Sequence, residues 1–128
     1  MASGDVGGAC TELVITCRTP HELHDPIEKG DPVRLIGPYT VEVCIDSKPL
    51  PIFGQALQDQ FEPNAPLAVR VRGICIFTYL PYRKGAEVGE KVCAHAGIVH
   101  EADSGHCAAQ CGLVLKVDKE TNEIHVLL

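Results

Sequence analysis

The sequence predicts an all-β fold, a small single-domain β-barrel or sandwich of short antiparallel strands behind a flexible N-terminal arm, and three observations predict it. Apolar and polar residues alternate over short runs, as at Tyr39 to Asp46 and Leu67 to Arg72, the period of a half-buried strand. The apolar share of 45% comes from Val, Ile, Leu, Ala and Cys, with no Trp and only three Phe and three Tyr, so the core is aliphatic and rich in β-branched side chains. Twelve Gly and nine Pro are spread along the chain, which suits many tight turns better than a few long helices. A chain of 128 residues is one domain, and folding at this size buries about two-thirds of the unfolded surface.

The elements follow in order. The first ten residues are small, polar and Gly-rich and form a flexible arm unless a partner orders them. Thr11 to Arg18 is a β-prone run, interrupted by a loop from Thr19 to Pro26 that holds two Pro and two His. Pro32 to Ile36 is a short strand, Gly37-Pro38 a turn, and Tyr39 to Asp46 a strand with Val41, Val43 and Ile45 on one face. Ile52 to Leu57 leads through a loop to the strongest signal, Leu67 to Tyr79. There Leu67, Val69 and Val71 share one face, Arg70 and Arg72 the other, and Gly73 marks a bulge or change of face. Val88 to Ala94, Gly97 to His100 and Gly112 to Val117 are further strands, Asp118 to Asn122 a hairpin turn, and Glu123 to Leu128 a closing strand fixed in the sheet. The division is an arm, strand and loop over 1–27 and a compact barrel-like domain over 28–128. The halves correspond faintly: Gly30-Asp31-Pro32-Val33 matches Gly89-Glu90-Lys91-Val92, and Gly54-Gln55-Ala56-Leu57 matches Gly112-Leu113-Val114-Leu115.

Composition also bounds function. A net charge of −6 with dispersed basic residues disfavours nucleic acid as a partner. No apolar run approaches the roughly 20 residues needed to span a bilayer, and the start carries neither a basic segment nor an apolar stretch. Seven cysteines, an odd number without a signal peptide, point to a reducing cytosol. Cys44 and Cys75 lie within apolar strand patterns and are expected to pack as small hydrophobes.

The nearest approach to a chemical site is the tract holding Cys93, His95, His100, His106, Cys107 and Cys111. These are zinc-ligand types, and a small zinc domain or metalloenzyme using Cys93, His95, Cys107 and Cys111 is the alternative reading. The spacing is loose, because structural zinc sites bring two close ligand pairs on turns. No phosphate-binding glycine loop, nucleophile elbow or His-Glu-x-x-His motif occurs. The expectation is therefore no enzyme, no cofactor and no metal. Arg70 and Arg72 side by side on one strand face are candidate contacts to a carboxylate-bearing partner.

The succession of Gly30 to Gly37, Phe53 to Leu57, Leu67 to Gly73, Gly89 to Val92, Gly112 to Leu115 and Ile124 to Leu128 resembles the capsid decoration, or cement, proteins of tailed bacteriophages over about residues 28 to 128. The resemblance implies a β-barrel-like protein made in the host cytoplasm that sits on the outer surface of the virion capsid, commonly as a homotrimer. It would bind the major capsid protein and stabilise the head. It further implies that the N-terminal segment adds a strand to the shell protein, with Thr11, Leu13, Val14 and Ile15 as contacts and Arg70 and Arg72 as polar contacts. An intracellular β-barrel adaptor is a further alternative, differing only in its partner.

Overall fold

The computed structural model describes residues 12–44, 51–81, 85–95, 97–101 and 111–128. Over those residues the chain is all-β, in ten strands: β1 (Leu13–Arg18), β2 (Pro32–Gly37), β3 (Thr40–Val43), β4 (Gly54–Ala56), β5 (Pro66–Arg72), β6 (Ile74–Thr78), β7 (Val92–His95), β8 (Ile98–Glu101), β9 (Leu113–Asp118) and β10 (Glu123–Leu127). The first five close into a barrel in the order β1-β3-β2-β4-β5. Its interior is Cys17, Ile27, Val33, Val41, Val43, Ala56, Leu67, Val69 and Val71. Beyond it lie a three-stranded sheet, β6-β10-β9, and the β7-β8 hairpin, which share a second core built on Phe77, Tyr79, Val92, Val99, Ile124 and Val126.

The second set of strands repeats the first. A parallel contact joins β1 to β3 at Arg18 and Thr40, and a parallel bridge joins the end of β6 to β8 at Tyr79 and Val99. An antiparallel bridge between Val92 and Cys111 carries β7 to the start of β9, as β2 pairs with β4. The order β6-β8-β7-β9-β10 thus matches β1-β3-β2-β4-β5. Turn bonds coincide as well. Gly30 N–H donates to the Ala56 carbonyl at 2.8 Å and Gly89 N–H to that of Val114 at 2.9 Å, while Asp31 N–H bonds Glu28 O at 3.0 Å and Glu90 N–H bonds Glu87 O at 3.1 Å. The Asp31 and Glu90 carboxylates each accept from the backbone N–H three residues earlier. Left-handed backbone recurs in pairs, Gly30 with Gly89, Tyr39 with Gly97 and Asn64 with Asn122. The short sequence correspondence is the trace of a tandem repeat of one five-stranded unit.

Gly73 (φ +116°) joins the repeats. The alternation passes through it without changing face: Leu67, Val69 and Val71 face the first core, and Cys75, Phe77 and Tyr79 the second. Gly73 changes the core served, not the face. Ile74 and Ile76 consequently point outward with 38% and 44% of their surface exposed. Gln55 ties the repeats together, its Nε2 donating to Ile76 O at 2.7 Å and Gly30 O at 3.2 Å. Leu128 and Gly73 exchange backbone hydrogen bonds, so the closing strand is anchored as its sequence predicts.

Cys17, Cys44 and Cys75 are buried thiols, as expected for Cys44 and Cys75. Burial pushes the Cys44 thiol up to about 12 from an ordinary value of 9.0, with nearby Cys111 adding to the shift. Cys17, Cys75 and Cys111 are raised by the same desolvation. The folded state therefore holds more protons than the unfolded chain above pH 9, and its stability falls as pH rises. For Cys44 the window runs from pH 9 to about 12. Cys44→Ala should shift the alkaline limb of a pH-unfolding curve to higher pH, read by far-UV circular dichroism. An unmoved limb would refute that origin.

Candidate functional site

The sequence-predicted contacts fall on two neighbouring strands. β1 pairs antiparallel with β5 from Leu13 opposite Arg72 to Arg18 opposite Pro66, with a register shift between Leu13 and Val14. The segment expected to be an unpartnered arm strand is thus a stave of the first barrel, and the boundary drawn at residue 27 does not separate it from the rest. The same register sets Val14 opposite Arg70 and Leu13 opposite Arg72, so the predicted apolar and polar contacts form one surface.

Exposure divides them. Leu13 and Val14 are 46% and 41% exposed, because the register shift turns both outward. Ile15 lies opposite fully buried Val69 and packs against the barrel core; strand alternation removes it from the contact set. Thr11 lies outside the described residues. Arg70 donates from Nε to Glu12 at 2.6 Å and from Nη1 to Gln55 Oε1 at 3.1 Å, and Arg72 bonds the Val71 carbonyl at 2.9 Å. Arg70 is half-buried in this network while Arg72 stays exposed.

At the other end of β1 a groove of about 570 Å³ opens, lined by Thr16, Arg18, Pro38, Tyr39, Asn64 and Pro66. It lies beside the β2–β3 turn, where Arg18 N–H donates to the Tyr39 carbonyl at 2.8 Å. Tyr39 and Asn64 both hold left-handed backbone (φ 51° and 53°), which costs a residue with a Cβ about 1 kcal/mol or more. Sequence reasoning missed this groove, since Gly37-Pro38-Tyr39 reads as an ordinary turn.

A second surface was not foreseen. On the outward side of β6-β10-β9, Ile74, Leu127 and Leu113 stand in one cross-strand row, with Ile76 and Leu115 beside it. Each of the five is 38% to 44% exposed. An outward-facing apolar row of this kind is a candidate contact surface.

The zinc alternative gains no support from the described side chains, no three of which among His, Cys, Asp and Glu gather as a metal-binding group. Cys93 is fully buried and held in a disulfide, so it offers no thiolate, and it departs from the expectation of a chain with reduced cysteines. Cys111 is a free thiol whose sulfur accepts the Ile52 N–H at 3.1 Å. Cys107 and the His95 side chain lie outside the description. His100 is buried, its Nδ1 2.9 Å from the Glu101 carbonyl. Comparison with known protein families and with curated proteins finds no match to this chain.

Proposed function

We propose that this protein is a structural binding protein that fastens to the outer surface of a tailed-phage capsid and stabilises the head. The observation that carries the reading is the exposed apolar row Ile74, Leu127 and Leu113, with Ile76 and Leu115 beside it, a surface suited to protein contact rather than to a small substrate. The block order that resembles cement proteins supplies the lattice.

The two surfaces divide the labour by their chemistry. Permanent contacts between copies are the more apolar class of interface, and the outward face of the second repeat fits a homo-oligomer such as a trimer. The mixed surface of Leu13, Val14, Arg70 and Arg72 fits a partner met later, the major capsid protein. Many weak copies on a lattice then act together through avidity, and no catalytic step is required.

Co-sedimentation with empty expanded phage heads tests the reading. Saturable binding is expected for the full chain, with a loss of about tenfold in affinity on Leu13→Asp/Val14→Asp. Ile76→Glu/Leu127→Glu should shift the chain to monomer in analytical ultracentrifugation. Failure to sediment with heads would overturn the capsid assignment, and binding to an unrelated intracellular protein instead would favour the adaptor.

A further inference from the structure

The barrel closes between β1 and β3 through a short pairing. β1 is fully paired with β5 on one side, yet on the other it meets β3 only at Arg18 and Thr40. Because that pairing is parallel and lies at the end of β1 and the start of β3, the space beside Val14 and Thr16 is where a longer β3 would run. Val14 and Thr16 share the strand parity of Arg18, whose N–H points to that edge, so their backbone N–H and C=O groups point there too. No strand among the described residues covers them. The groove between Arg18 and Tyr39 is the mouth of this slot.

Two further observations say what fits. Of the seven residues lining the groove, the exposed Arg18 alone carries a formal charge. Arg70, ion-paired to Glu12, and Arg72 stand toward the opposite end of β1 and do not line the groove. In a chain of net charge −6 the charge at the groove is thus a cation. Tyr39 stands at a left-handed position where the other repeat has Gly97, and the residue is 67% exposed. Glycine satisfies that turn with less strain, so the backbone does not explain the aromatic.

We propose that this slot receives an extended acidic segment of a partner polypeptide, which adds as a strand to the open edge of β1, stacks on Tyr39 and sets a carboxylate on Arg18. The assignment stands apart from the capsid reading, since it concerns the chemistry of the guest and not its source.

The test is fluorescence anisotropy of the full chain with a labelled octapeptide of alternating Glu and Val. Its controls are an alternating Lys and Val octapeptide and a Glu–Val octapeptide N-methylated on alternate residues, which cannot complete the edge bonds. The Glu–Val peptide should bind saturably and both controls at least tenfold more weakly. Arg18→Glu and Tyr39→Gly should each weaken binding about tenfold, while Tyr39→Gly melts no lower than the parent chain. Absence of saturable binding would overturn the proposal. So would equal binding of either control peptide, affinity unchanged in both variants, or a dimer of the chain that the peptide cannot displace.

Discussion

Gly54→Ala is expected to lower the unfolding free energy by about 3 kcal/mol. Gly54 pairs with Val33 of β2 on one side, and its neighbour Gln55 pairs with Arg70 of β5 on the other. A Cβ there would run into the Arg70 carbonyl oxygen and stand 2.6 Å from Val69 Cγ1. The carbonyl belongs to a barrel strand, so relief requires the β4–β5 spacing itself to widen. Gly30→Ala is the control: its φ is +96° but nothing lies within 4 Å of the added carbon, so only backbone strain of about 1 kcal/mol applies. Urea denaturation of both variants decides it, and a Gly54→Ala chain within 1 kcal/mol of the parent would remove the close approach as a constraint.

Glu42→Gln is expected to cost about 3 kcal/mol. Arg34 on β2 has no accessible surface and faces Glu42 across the β2–β3 ladder, donating to Glu42 Oε1 from Nε at 2.9 Å and also from Nη2. Glu42→Gln replaces a carboxylate facing this buried guanidinium with a neutral amide, which weakens a charge-assisted hydrogen bond in a water-poor place. Replacing both partners, as in Arg34→Met/Glu42→Leu, should recover most of the loss, because burying two charges is itself costly. The single variant's penalty should persist in 1 M salt, since buried pairs are weakly screened. A penalty that vanishes in salt, or a double variant no better than the single one, would contradict this account.

The strands were legible in the sequence because each writes its own alternation: Val41 and Val43 inward, Leu67, Val69 and Val71 inward against Arg70 and Arg72 outward. Turn positions were legible from Gly and Asn. The repeat was nearly invisible, because what the halves share is backbone hydrogen bonding at Gly30 and Gly89, and many side chains satisfy the same bonds. Burial of Arg34 could not be read from a short strand motif, since it depends on a carboxylate eight residues away on the facing strand. Of the candidate contacts, Leu13 and Val14 stand exposed as required, but Ile15 turns inward through a register that only the β5 partner sets. The Arg18 groove left no signal because it arises where no strand of the described residues runs, and sequence patterns record strands, not gaps between them.

One residue, Gly73, separates β5 from β6, and Leu128 bonds it in both directions. Mechanically the joint between the two repeats is clamped. A joint of one residue has no length to extend, and the Gln55 bond to Ile76 and the Ile52 bond to Cys111 oppose rotation about it. The bonds to the last residue act as a stop against that rotation. Stiffness between the repeats thus resides at this joint together with the Gln55 bond to Ile76 and the packing of Cys44 and Ile52 into the second core.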